Sequence, residues 1–262
     1  MKVVVITGSS RGIGYGLADA LLDLGCSVVV SGRSQETTQA AMVKLTDKHG
    51  DGNLFAHPCD VRDSEQVQSL WDAAQERFGK VDIWINNAGV ANLISEVWQL
   101  SPADIDRVVG TTLLGAIYGS MVAIQGMLKQ GFGSLYFMEG MGSDGRKHAG
   151  LTIYGTTKYG LRYYIESLVK ETRDLPVIVG SISPGMVLTG MIEDQYRENP
   201  EELERAKRIF NLIADRVETV TPWLAEKILA NDKKGTQIAW LTRRKLLGRM
   251  ISSIFRKRNL FE

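Results

Sequence analysis

Very little in this chain of 262 residues could serve as a covalent or metal staple. There are two cysteines, Cys26 and Cys59, in neither metal-ligand nor redox spacing, which excludes a disulfide scaffold and favours a reducing compartment. The three histidines, His49, His57 and His148, are scattered, so no metal site is expected. An excess of charge of one sign is also missing. A net charge of +1 gives no general attraction to nucleic acid, and none is expected as a partner. At the start, Lys2 leads straight into the run Val3–Ile6, far too short to span a bilayer, and no signal or transit segment is read there. No repeat or low-complexity stretch interrupts the chain. The expectation is a cytoplasmic protein with one α/β domain, long enough to bury a large core.

What is present begins with Val3–Ile6, a continuous apolar run of the kind buried on both faces of a parallel sheet. Thr7-Gly-Ser-Ser-Arg-Gly-Ile-Gly14 follows at once, then the helical pattern Leu17, Ala20, Leu21, Leu24. Strand, glycine turn and helix form the context in which such glycines serve a phosphate site. Gly8 allows the tight turn, Gly12 lets the backbone approach a pyrophosphate, and Gly14 lets helix and strand pack closely. The helix start then offers unpaired N–H groups and its positive dipole end. A plain glycine-rich turn is the bland alternative. The second strand, Ser27–Ser31, ends in Ser31-Gly-Arg33 without the carboxylate that would hold a ribose 2′-hydroxyl. Arg33 with Arg11 suits a 2′-phosphate instead, so NADPH is expected over NADH; two solvated surface arginines would read the same.

Gln35 to His49 reads as an amphipathic helix, Asn53 to His57 as a third strand, and Cys59 to Asp63 as a turn in which Asp60 could accept from an adenine amino group. Asp63 is the expected cap of a helix from Ser64 to Phe78, with Gln66 completing a capping box. Val81–Ile85 is a fourth strand ending in Asn86-Asn-Ala-Gly89, small residues and amides that allow close approach to a ligand. Further on, Thr152-Ile-Tyr-Gly-Thr-Thr-Lys158 places Tyr154 and Lys158 four residues apart, on one helix face. A nearby ammonium lowers a phenol's pKa, and a phenol so tuned exchanges a proton with a carbonyl or alcohol oxygen.

Thr7 to Gly14, Asn86-Asn-Ala-Gly89, Tyr154-x-x-x-Lys158 and Ser183-Pro-Gly185 occur in the order and spacing of the short-chain dehydrogenase/reductase family, which the chain resembles over about its first 190 residues. The resemblance implies a single Rossmann-type α/β domain, a doubly wound parallel sheet of seven strands in the order 3-2-1-4-5-6-7, and hydride transfer to or from NAD(P). It makes Tyr154 the acid/base, with Lys158 holding the nicotinamide ribose and lowering the tyrosine's pKa. It lays the cofactor along Gly8, Ser10, Arg11, Gly12, Ile13, Gly14, Arg33, Asp60, Val61, Asn87, Ala88, Gly89, Lys158, Pro184 and Gly185, with Thr189 on the carboxamide.

Two residues depart from the family pattern. Thr112 stands where the family has an asparagine that supports a relay water. No serine ends the fifth strand, Gly133–Gly140, which closes on Glu139-Gly140; Ser143 or a backbone N–H near Gly140 is left to polarise the carbonyl. Met138 to Gly145, Tyr154 to Lys158 and Ser183 to Thr189 resemble the chlorophyll(ide) b reductase branch, which reduces a formyl group on a chlorin with NADPH. A bacterial-type relative of that branch is expected, an NADPH-dependent carbonyl reductase of an aldehyde or ketone such as the formyl group of a chlorophyll b-like chlorin, with another bulky carbonyl or a 3-oxoacyl group as the alternative substrate. A weakly catalytic NADPH-sensing protein is the reading from another class.

In the second half, the family resemblance implies homodimer or homotetramer faces on the helices at Asp104–Leu128 and Thr152–Thr172, and Tyr159, Tyr163 and Tyr164 read as packing or interface. Pro176–Ser181 reads as a sixth strand. Residues 190–217 read as two short helices covering the substrate, the second starting at Asn199-Pro-Glu-Glu202. Thr221–Ile228 reads as a helix and Thr236–Leu241 as the last strand. Arg243 to Glu262 carries seven basic residues against one acid, with Leu246, Leu247, Met250, Ile251, Ile254 and Phe255 at helical spacing. Such a basic amphipathic helix docks on the body or a neighbouring subunit, or else meets a membrane surface, which would make the protein membrane-peripheral.

Overall fold

The computed structural model describes residues 1–196, 200–253 and 258–261, without the side chains of Glu193, Pro200 and Glu202. Its strands are β1 (Val3–Ile6), β2 (Ser27–Val30), β3 (Leu54–Ala56), β4 (Ile83–Asn86), β5 (Ser134–Met138), β6 (Ile178–Ser183), β7 (Met186–Leu188), β8 (Ala214–Arg216) and β9 (Gln237–Ala239). Seven of them form one parallel sheet in the order β3-β2-β1-β4-β5-β6-β9. With β9 in seventh place, this is the strand order expected.

Helices cover both faces: α1 (Gly12–Asp23), α2 (Gln35–His49), α3 (Ser64–Phe78), α4 (Pro102–Val109), α5 (Gly115–Gln130), α6 (Thr152–Glu171), α7 (Gly190–Gln195), α8 (Pro200–Ile213), α9 (Val217–Ala230) and α10 (Arg243–Ser252). Alternation along β1 divides the core between them. Val4 and Ile6 pack with Leu17 and Leu21 of α1 and with Leu224 and Ile228 of α9. Val5 points the other way, among Leu70 and Trp71 of α3, Ala123 and Met127 of α5, and Leu161 and Ile165 of α6. These runs are apolar throughout because both faces are buried.

Local signals held where chemistry was local. Asp63 accepts from the N–H groups of Glu65 and Gln66 and fixes the start of α3. Helices α4 and α5 form one continuous rod through a π-helical turn, Gly110–Leu114, which carries Thr112. By length and composition Pro102–Gln130 could cross a membrane; here it is one of the helices that cover the sheet.

Two features differ from expectation. Helix α9 starts at Val217 rather than Thr221, so Pro222 lies inside it rather than in its first turn. A Cβ on Gly16 would meet Val217 Cγ1 at 2.3 Å, and this close α1–α9 packing outweighs the proline's cost. The strands β7 and β8 pair parallel in a second small sheet, too short at three residues each to show a period. Helix α10 docks on the body, the first of the readings given for the basic C-terminal segment. The buried carboxylate of Asp215 accepts from Trp240 Nε1 at 2.6 Å, Arg249 Nη2 at 2.6 Å and Arg258 Nη2 at 2.9 Å. The expected helix start at Asn199 and the apolar residues Ile254 and Phe255 lie outside the described residues.

Candidate active site

The sheet order reverses between β1 and β4, and in such folds ligands bind in the crevice beyond that switch point. Here the two turns leaving these strands interlock. Asn87 Nδ2 donates to the carbonyls of Thr7 (2.9 Å) and Gly8 (3.0 Å), while Thr7 Oγ1 accepts from the N–H groups of Asn87 and Ala88. Gly8 has φ +63°, and a Cβ there would lie 2.8 Å from Ala88 Cα. No side chain caps the start of α1, and its first residues, Gly12, Ile13 and Gly14, line the groove. A cavity of about 2560 Å³ runs through this crevice, and every residue expected to bind cofactor or to act in catalysis lines it.

Lining is not the same as the expected contact. Arg11 lines the groove with Nη1 3.5 Å from Asp194 of α7; the pair is exposed and worth little. Arg33 remains at the end of β2, and Lys44, which the sequence reading missed, joins it along the groove from α2. Asp60 is gripped by Arg62 through Nε (3.0 Å) and Nη2 (2.5 Å), which holds its carboxyl below the usual range and engages the oxygens assigned to adenine. Thr189 sits with its methyl group 3.6 Å from the Cβ position of Gly12, beside the phosphate turn.

The Tyr154–Lys158 pair lies in the same cavity on α6, both side chains buried. Lys158 Nζ donates to the Met138 carbonyl at 2.8 Å and lies 5.8 Å from the centre of the Tyr154 ring. Burial pushes the phenol up to about 12, and the same burial pushes the ammonium down to about 8, partly offset by the charge of Glu139. The tyrosine is therefore not lowered as expected. Loss of water outweighs an ammonium already directed at a backbone carbonyl.

Gly140 occupies the place of the missing serine: a Cβ on it would stand 2.5 Å from the Tyr154 hydroxyl and 3.0 Å from Lys158 Cε. The two groups considered as substitutes are bonded to each other, Gly140 N donating to Ser143 Oγ at 3.1 Å. The N–H is thus occupied, while the Ser143 hydroxyl keeps its own proton to donate. Thr112 also has its hydroxyl engaged, donating to the Val90 carbonyl at 2.9 Å and accepting from the Val90 N–H at 3.1 Å. It clamps the loop after Gly89 and does not offer a proton to a water.

Asn92 gave no signal in the sequence. It is buried, with Nδ2 on the carbonyls of Leu93 (2.7 Å) and Gly150 (2.9 Å) and Oδ1 accepting from the Tyr154 N–H at 3.3 Å. It therefore ties the loop after β4 to the first turn of α6. Asn92→Ala is expected to cost about 2 kcal/mol of stability, since buried groups lose their partners, and to slow turnover about tenfold through a displaced Tyr154. Thermal melts and steady-state kinetics check both.

Part of the cavity's lining is apolar. Ile192 and Tyr196, with Phe210 of α8, line it; Tyr196 and Phe210 meet edge to face at 6.2 Å and form part of a small separate core.

Residues 2–200 match the family model described as short chain dehydrogenase. Among similar curated proteins, a probable chlorophyll(ide) b reductase of Oryza sativa subsp. japonica (NYC1, chloroplastic) is 34% identical over 99% of this chain and 53% of its own length. A second rice protein, chlorophyll(ide) b reductase NOL, is 34% identical over 96% of the chain and 74% of its own. The chain thus spans about half the length of the first and three quarters of the second. Among solved structures, levodione reductase superposes with a TM-score of 0.82 at 24% identity, covering 91% of this chain and 95% of that one. A serine dehydrogenase complexed with NADP+ gives 0.80 at 23% identity, over 92% and 94%. The motif order, the sheet order and the match over residues 2–200 agree: this chain belongs to the short-chain dehydrogenase family of oxidoreductases.

Proposed function

We propose that the protein is an NADPH-dependent carbonyl reductase acting on a bulky aldehyde or ketone, with the formyl group of a chlorophyll b-like chlorin as the leading substrate class. The observation that carries this reading is the Tyr154 hydroxyl, buried with Lys158 at the junction of a glycine-lined nucleotide groove and an annex lined by Ile192, Tyr196 and Phe210. A phenol that keeps its proton is an acid, and reduction of a carbonyl needs an acid at oxygen. The two rice relatives, named as chlorophyll(ide) b reductases, support the substrate class. The nicotinamide, when bound, supplies the hydride. Tyr154 then passes its proton to the carbonyl oxygen, Ser143 donates a hydrogen bond to it, and Lys158 stabilises the phenolate left behind.

NADPH oxidation with a panel of aldehydes, ketones and 3-oxoacyl thioesters, including a formyl-chlorin, tests the reading; no turnover with any of them overturns it. That outcome favours a nucleotide-sensing protein, a reading supported by the engaged Thr112 hydroxyl and by Gly140 in the serine's place. The rate is expected to be level at neutral pH and to fall as pH rises through about 8, where Lys158 loses its proton. Lys158→Arg is expected to move that fall upward.

Cofactor choice is assigned to Arg33 and Lys44, whose charges suit a 2′-phosphate. Arg33→Ala is expected to raise KM for NADPH by about 10- to 100-fold, the worth of a charge-assisted contact, and to leave KM for NADH unchanged. Homo-oligomerisation is a further proposal, supported by exposed Leu114, Met121 and Leu128 along the α5 rod and by exposed Tyr159 and Tyr163 on α6. Two buried free thiols are in keeping with a reducing compartment.

A further inference from the structure

Helix α10 is held to the body along one side only. Arg249 reaches Asp215 and the Ile213 carbonyl (3.0 Å), and the Lys245 ammonium stands over the Trp240 ring, 2.9 Å from its centre. The opposite side faces outward. Leu247, Met250 and Ile251 are 60%, 52% and 55% exposed and, at i, i+3 and i+4, form one stripe. Arg243 and Arg244, one turn earlier on the same side, are exposed and have no ion-pair partner among the described residues. A Cβ on Gly248 would meet nothing within 4 Å, so this side is not overhung by the body.

The geometry points to α10 as a docking surface for a bilayer with anionic headgroups. An apolar stripe flanked by arginines is what an interfacial helix presents: the stripe enters the acyl boundary and the guanidiniums stay with the phosphates. The charge pattern selects this occupant over a second copy of the chain. Residues 243–261 contain no acid, and a twofold pairing of this face with itself would set arginines against arginines. Docking would also place a wall of the cavity at the bilayer, because Leu241, Thr242, Arg243 and Leu246 line it. An apolar substrate could then reach the annex from the lipid. The surface stands independently of the proposed reaction.

The test is co-flotation of the full chain with vesicles of equal parts phosphatidylcholine and phosphatidylglycerol, and with phosphatidylcholine alone. The chain is expected to float with the anionic vesicles and to be released by salt, which screens the attraction. The double variant Leu247→Glu/Ile251→Glu is expected to lower the bound fraction about tenfold, since it removes both apolar contacts. Its melting curve and its turnover of a water-soluble aldehyde are expected to match the parent, because neither residue lines the cavity. Absence of flotation with the anionic vesicles, equal flotation with phosphatidylcholine alone, or a variant that floats like the parent overturns the inference. A parent that stays in solution as an oligomer, which the variant dissociates, assigns the face to a second copy and overturns it as well.

Discussion

Tyr154→Phe is expected to lower kcat by about 10³-fold or more, the worth of a positioned general acid, while the affinity for NADPH changes less than twofold in order of magnitude terms, roughly within assay error. The ring stays, so the packing of α6 stays. Only the hydroxyl is removed, and the Ser143 hydroxyl that remains can donate a hydrogen bond but is a far weaker acid than a phenol. Lys158 is the nearest alternative, but its ammonium is directed at the Met138 carbonyl. Cofactor binding followed by fluorescence titration separates loss of the acid from loss of the site. Turnover near the parent level would remove Tyr154 from the mechanism.

The second large effect concerns Gly140. Restoring the family's serine there is expected to harm the enzyme. The added Cβ would stand 2.5 Å from the Tyr154 hydroxyl, well inside contact distance, and 3.0 Å from Lys158 Cε. A tyrosine ring on a buried helix cannot yield cheaply, so either it shifts off the carbonyl or the chain end at β5 does. Gly140→Ala and Gly140→Ser share that Cβ, and both are expected to lose about 10²-fold in kcat, the usual cost of a displacement near 1 Å. Gly140→Ser matching or exceeding the parent would show that the tyrosine can make room. Ser143→Ala is the complementary variant, removing the hydroxyl that bonds Gly140 N without crowding Tyr154.

The parts of the site legible in the sequence were those written in adjacent residues. Thr7 to Gly14 declares a turn because only certain φ values close it, and Tyr154 and Lys158 share a face because four residues make about one helical turn. Val3–Ile6 reads as a buried strand because a parallel sheet covers both its faces. Asn92, Lys44 and Asp215 were not legible. Asn92 and Asp215 act on partners distant in the chain, Asn92 on Tyr154 across 62 positions, and Lys44 meets the groove only through the fold; a lone polar residue looks the same wherever the fold will carry it. The tyrosine's pKa was misjudged for a related reason. Helical spacing reveals a neighbouring charge, whereas burial, the larger effect here, depends on everything packed around it. The start of α9 at Val217 was not legible either, because it rests on packing against Gly16, a residue far earlier in the chain.

The Asp215 carboxylate has a consequence for the order in which the protein is completed. It closes the base of the segment carrying α7 and α8, yet two of its three donors, Arg249 and Arg258, lie 34 and 43 residues further along. On a ribosome, where a chain grows from its N-terminus, the sheet strands β1 to β6 and the phosphate turn emerge first. Asp215 therefore gains its full set of donors only when Arg258 has left the exit tunnel, after every strand of the main sheet has been made.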